Sequence, residues 1–250
     1  MRSNAPRSRR PAGETRALML DAAVNRVQHE GLRLDYANIE LEDLIRIAGV
    51  PRSTVFRIWP DRIAFIADLV RTLFERDPGF DTGFDEQTRQ LLDQVVEMGA
   101  HASSDEERQG MLRDTLRVAV AHNMQTVENT VAWRAYRTMC AALVSGDVPG
   151  GAGIRTLLVE IEARYLDRMA EIYGGLNAAF GLRMRDGVTE RDLALAIMAM
   201  IDGMSDHSRI DPAAVDTPRV VALGPEGTRE WHLAGVAIAG IYTSFTESAG

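Results

Sequence analysis

The sequence predicts an all-α protein, and three observations carry the prediction. Apolar residues recur at helical spacing in one stretch after another. Glycine, proline and short polar runs separate these stretches, and none reads convincingly as a strand. Residues 41–62, LEDLIRIAGVPRSTVFRIWPDR, form two short amphipathic segments that meet at a glycine, the pattern of a helix-turn-helix. The expected organisation is a flexible arginine-rich arm over 1–13, a three-helix helix-turn-helix module with a linking helix over 14–76, and a helical bundle over 77–250.

The arm holds Arg2, Arg7, Arg9 and Arg10 with two prolines and small polar residues. Such an arm can enter a DNA minor groove, and the competing reading is a solvated tail with non-specific attraction only. The first helix is expected over Thr15 to Glu30, with Leu18, Met19, Ala22, Ala23 and Val27 on its apolar side and Gly31 as its stop. Leu32 to Ile39 is a connector with one turn around Asp35 to Asn38.

In the next helix Leu41, Leu44, Ile45 and Ala48 fall at i, i+3, i+4 and i+7, while Glu40, Glu42, Asp43 and Arg46 face away. Gly49 ends it, since glycine accepts the positive φ that reverses the chain. Pro51 suits the first turn of the following helix, where its missing N–H has no intrahelical partner. Val55, Phe56 and Trp59 pack that helix back on the first, leaving Arg52, Ser53, Thr54 and Arg57 outward. Two helices about a glycine, the second exposing Arg, Ser and Thr, suit a major groove about 12 Å wide. An αα corner without any DNA role is the alternative that spacing alone leaves open. Pro60-Asp61 opens a fourth helix to Arg76, buried through Ile63, Ile66, Ala67, Val70, Leu73 and Phe74, and Asp77-Pro78-Gly79 breaks it.

The segment AGVPRSTVFRIWPDR, Ala48 to Arg62, resembles the signature of TetR-family transcriptional regulators. In that signature an Ala-Gly-Val corner precedes a recognition helix with Thr, an aliphatic residue and an aromatic, followed by a second aromatic and a basic residue. The specific likeness covers about the first 75 residues. Phe56 stands where the family usually has tyrosine, Ile58 where it has histidine, and Arg62 where it has lysine. The resemblance implies that Arg52, Ser53, Thr54, Phe56, Arg57 and Arg62 form the DNA-binding set. Tyrosine and histidine at those places normally touch phosphates, so two such contacts are in doubt. Arg62 keeps the charge and can hold a phosphate bidentately, and Arg52 and Arg57 offset part of the loss. Ile45 replaces a usual small residue and widens the expected gap between the two helices.

Beyond Gly83, helices are expected near Asp85–Ala102, Asp105–Thr126, Glu128–Ser145, Ile154–Phe180, Thr189–His207 and Thr228–Glu247. The break over Asp211–Gly227 is long, holds Pro212, Pro218 and Pro225, and reads as a surface excursion or a partly mobile segment without a helix of its own. Trp133, Tyr136 and Met139 share one helix face, and Tyr165, Met169 and Tyr173 share another. Such stripes form cores in most proteins. The resemblance implies an apolar effector within the body, and these six residues are its candidate ligand box. Ile197 and Ile201 on one helix, with Ala234, Ile238, Ile241 and Phe245 on the last, are the candidate dimerisation residues. The family usually dimerises through two C-terminal helices, and Gly235 and Gly240 permit close approach.

Charge is distributed unevenly. Residues 1–76 carry thirteen arginines against ten Asp and Glu, a net of +3, and residues 77–250 carry fifteen against twenty-six, a net of −11. A basic module on an acidic body leaves one face free to meet phosphate. All 28 basic side chains are arginine. The five histidines stand singly, and no HExxH, CxxC or glycine-rich phosphate loop occurs, so no metal, cofactor or catalytic site is expected. Cys140 is the one cysteine, and the longest apolar stretch falls short of a membrane span. The expectation is a cytoplasmic homodimer on an operator with inverted repeats, a repressor released by an apolar small molecule. The alternatives are an activator, a regulator working without ligand, or a helical interaction protein that has lost DNA binding.

Overall fold

The structure, a computed structural model, describes residues 11–33, 36–77, 86–146, 151–225 and 227–249. The arm over 1–10, Asp35 in the connector and the Pro78–Gly83 loop lie outside the described residues. The fold is all-α with helix-turn-helix at the N-terminus and a helical bundle toward the C-terminus, as the sequence predicts. It divides into two compact units, residues 1–77 with 131–160, and residues 78–130 with 161–250. The sequence places a boundary after residue 76, and packing draws the later segment 131–160 into the first unit.

In the first unit, α1 spans Ala12–Glu30, α2 Leu41–Ala48, α3 Arg52–Ile58, α4 Arg62–Glu75 and α7 Val131–Ser145. Helix α1 packs on α2, α3 and α4, and α7 packs on α4. Helix α4 buries Phe65 and Leu69 as well as the expected Ile66, Val70, Leu73 and Phe74. Tyr136 of α7 meets Phe74 edge-on, with ring centroids 6.2 Å apart, and stacks on Trp133. The aromatic side of α7 therefore seats that helix on α4. Asp61 caps α4, its carboxylate accepting from the Ala64 backbone N–H at 2.8 Å.

The second unit contains α5 (Glu86–Ala100), α6 (Asp105–Asn129) and the larger part of α8 (Gly151–Ala179). It continues with β1 (Leu182–Met184), α9 (Glu190–Ile210), α10 (Pro212–Asp216), β2 (Arg219–Val221), β3 (Arg229–Trp231), α11 (Leu233–Phe245) and β4 (Thr246–Ser248). Helix α6 packs on α5 and α11, and α11 packs on α9. Thr189 and Asp192 close a capping box at the start of α9, and the two hydrogen bonds from Thr189 hold the Asp192 carboxyl below its ordinary pKa. Gly235 makes room for the Trp231 ring of β3, which a Cβ there would meet at 3.2 Å.

Two expectations need correction. Four strands occur among the described residues, in two antiparallel pairs, Leu182 opposite Ser248 and Arg219 opposite Trp231. Each has three residues, too few to show the alternation by which strands are read. The proline-containing excursion is also built. Pro212 opens α10, which Asp211 caps, and a hairpin follows. The last helix accordingly begins at Leu233 rather than Thr228, with the His232 ring accepting from the Ala234 N–H at its cap, and ends at Phe245.

Candidate nucleic-acid interface and a cavity

Helix α2 ends at Gly49, which takes φ 61° and ψ 38°, the left-handed conformation the corner demands. The Gly49 and Val50 N–H groups both bond back to the Ile45 carbonyl, so the turn is tight. Val50 is buried beneath it, and Pro51 caps α3 instead of starting it. Buried Val55 and Trp59 anchor α3 from within, whereas Phe56, expected beside them on the packed face, is 36% exposed.

Asp68 of α4 locks this arrangement. It accepts from the Trp59 indole N–H at 2.9 Å and from both ends of the Arg16 guanidinium, the Nε at 2.9 Å. The end of α3 is thereby tied to α1 and α4 by one carboxylate, and the Arg16 pKa is raised above its ordinary value by the same hydrogen bond. Trp59 also meets Phe65 edge-on at 4.8 Å.

Arg52, Ser53, Phe56 and Arg57 are exposed on α3, and Arg62 is half-buried at the start of α4. Thr54 differs from the sequence expectation. It is 6% exposed, inside the packing of α3, and so is withdrawn from the outward set. Thr54 and Val55 adjoin on the helix, and the inner face of this seven-residue helix is wide enough to take both.

The arginines are held by neighbours. Arg52 lies over the Phe56 ring, 4.9 Å from its centroid, while its Nε donates to Glu42 at 2.7 Å. Arg62 donates to Glu40 at 2.8 Å, and Arg46 to Asp43 at 3.0 Å. Glu42 and Asp43 of α2, with Glu40 at its N-cap, thus pair with these three arginines.

The candidate ligand box divides between the units. Trp133, Tyr136 and Met139 belong to the first, where Tyr136 and Met139 are buried. Tyr165, Met169 and Tyr173 belong to the second. Burial pushes the Tyr165 phenol up, with a smaller push from Asp202, and burial likewise raises Tyr173 well above the ordinary value. Of the six, Tyr173 lines a narrow cleft in the second unit, with walls from α5, α6, α8, α9 and α11 and a volume of about 40 Å³. Ile197, Ile201 and Ile238, expected from sequence at a dimer interface, line it too, whereas Leu112, Thr115, Leu116 and Asn123 of α6 were not singled out from sequence. A signal was there: Thr115 and Asn123 interrupt an otherwise apolar stripe of α6.

The candidate dimerisation residues separate as well. Ile197, Ile201, Ala234 and Ile238 are buried inside the second unit, and the same side chains cannot also face a second chain. Ile241 and Phe245 are half-buried, Gly240 is exposed, and Leu195 of α9 is 42% exposed. Among the described residues no group of three or more His, Cys, Asp or Glu could hold a metal, and no helix is long and apolar enough to cross a membrane.

Comparison with known proteins places the fold. No family model and no curated protein matches the chain. Among solved structures the chain is similar to a TetR-family transcriptional regulator from Mesorhizobium loti at 13% identity, over 94% of this chain and 98% of that one, with a TM-score of 0.51. It is equally similar to the reduced form of Escherichia coli NemR, at 10% identity over 94% of this chain and 99% of that one, TM-score 0.51. The chain thus shares its fold with a TetR-family regulator along nearly its whole length.

Proposed function

We propose that the chain is a DNA-binding transcriptional regulator of the TetR type, a homodimer that reads an inverted repeat and acts as a repressor released by an apolar small molecule. One observation carries the reading: a seven-residue helix following a left-handed Gly49 corner is anchored by Val55, Trp59 and Asp68, with Arg52, Ser53, Phe56 and Arg57 left outward. A rigid helix with bare polar and cationic side chains suits the major groove. Arg52 and Ser53, near the N-terminus of the helix, are assigned to base edges, and Arg57 and Arg62 to phosphates.

Dimerisation is assigned to the sides of α9 and α11 turned away from the chain's own core, with Leu195, Gly240, Ile241 and Phe245. Two copies would set their recognition helices about 34–36 Å apart, one turn of DNA. An effector that prefers another spacing lowers operator affinity by its own difference in binding, about 1.4 kcal/mol for each tenfold preference. The effector is assigned to the cleft of the second unit, and a cytoplasmic location follows from the work proposed.

Selection from a pool of random duplexes tests the reading. Wild type should enrich an inverted repeat, and Arg52→Ala should enrich a repeat degenerate at one position of each half-site. A pool that stays random with wild type would favour the alternative in which Phe56 and Ile58 mark a fold that no longer binds DNA.

A further inference from the structure

Helix α3 exposes one large apolar side chain, Phe56, at 36%. The other large apolar residues around it turn inward, since Val55 and Trp59 are buried and Ile58 is half-buried. Its outward neighbours on the helix are Arg52, Ser53 and Arg57. A phenyl ring among polar groups gains nothing from water, and without a hydroxyl it has no hydrogen bond to give a phosphate. The major groove presents donors and acceptors on every base pair, but its apolar feature is the thymine C5-methyl. A ring carried into the groove on this helix gains most by covering that methyl.

Arg52 lies one turn before Phe56, and its guanidinium carbon sits 4.9 Å from the centre of the Phe56 ring. The ring face attracts the cation, while Glu42 accepts from the Arg52 Nε at 2.7 Å. These two contacts orient a side chain that is otherwise 68% exposed. With Nε taken, the Nη1–Nη2 edge is left for the groove, and that edge can donate twice. Guanine accepts two such bonds, at O6 and N7, and is the commonest specific partner of arginine there. Successive bases rise by about 3.4 Å, so a cation and a ring 4.9 Å apart address neighbouring base pairs.

We propose that Phe56 and Arg52 read DNA as one unit, Phe56 covering a thymine methyl and Arg52 holding the guanine of the adjoining base pair, so that each half-site carries thymine next to guanine. The assignment rests on the regulator reading and adds Phe56 to its base-reading set. Phe56 also positions Arg52, because a guanidinium already held over a ring loses less freedom when it docks.

Duplex selection with the full chain, followed by replacement of thymines in the enriched repeat by deoxyuridine, tests this. Deoxyuridine lacks the C5-methyl and keeps every hydrogen-bonding group. One thymine in each half-site should be sensitive, and it should adjoin the guanine at which Arg52→Ala relaxes preference. Its replacement should weaken binding about fourfold in one half-site and about fifteenfold in both, the worth of one buried methyl group each. Phe56→Ala should bind the thymine and deoxyuridine repeats equally and, the side chain being exposed, should melt with wild type. Phe56→Leu keeps an apolar contact without a ring face, so it should retain thymine sensitivity and lose part of the guanine discrimination. An enriched repeat that tolerates deoxyuridine at every thymine overturns the inference and keeps the regulator. So does methyl sensitivity that survives intact in Phe56→Ala, or a sensitive thymine that does not adjoin the Arg52 guanine. A pool that stays random removes the regulator reading, and this inference with it.

Discussion

Replacing Asp68 by alanine should loosen the recognition helix without touching any residue that meets DNA. The carboxylate is the acceptor for the Trp59 indole at 2.9 Å, and Trp59 is 3% exposed, so its N–H would be left buried and unpaired. An orphaned donor of that kind costs about 1–3 kcal/mol. The Arg16 side chain is 51% exposed, so solvent screening limits its ion pair with Asp68 to under about 1 kcal/mol. Together the loss should be about 2 kcal/mol, a fall in melting temperature of about 4–8 °C for a chain of this size. Asp68→Asn keeps an acceptor oxygen for the indole and removes only the charge, so it should lose less than half as much. Urea denaturation followed by helical circular dichroism gives both values. An Asp68→Ala protein within about 0.5 kcal/mol of wild type, the usual range of a neutral surface change, would refute the argument. So would an Asn variant as damaged as the alanine variant, because the indole bond would then not be the larger part.

The other predictions concern the interface and the dimer. Arg52→Ala should cost about 1–3 kcal/mol on the selected duplex and relax preference at one base, whereas Arg62→Ala should flatten the salt dependence by about one unit and leave preference intact; equal losses on selected and random duplexes would remove Arg52 from the bases. Glu42→Gln frees Arg52 from its 2.7 Å pair, so binding to random duplex should tighten by about two- to fivefold, the worth of an exposed ion pair, and an unchanged affinity would show that Glu42 does not compete with phosphate. Ile241→Glu places a charge on the uncovered side of α11 and should give monomers in sedimentation with operator affinity lost; an intact dimer would move the interface elsewhere.

The corner was legible in the sequence because its determinants are local. Gly49, Val50, Val55 and Trp59 act within about ten residues, and each does in the structure what its type and spacing require. Thr54 was misread because a wide inner face on a short helix buries a small polar residue that a narrow stripe would leave outside. The apolar stripes of α9 and α11 were legible as stripes, but periodicity cannot tell a surface that covers its own chain from one that covers another copy. Ile197, Ile201, Ala234 and Ile238 proved to be the former. The aromatic stripe of α7 was visible too, yet its partner Phe74 lies more than fifty residues away, and only packing reveals that pairing. Asp68 escaped notice for the same reason: one carboxylate on a helix gives no hint that residues 9 and 52 positions earlier converge on it. The short strands carry too few residues for any period.

The affinity of the chain for its selected duplex and for a scrambled duplex of equal length, measured across a range of salt concentrations, tests the central claim most directly. The account predicts a preference of at least about a thousandfold for the selected duplex, with both affinities falling as salt rises. Equal affinity for the two duplexes at every salt concentration, or no binding to either at about 50 mM salt, where phosphate contacts are strongest, would contradict it.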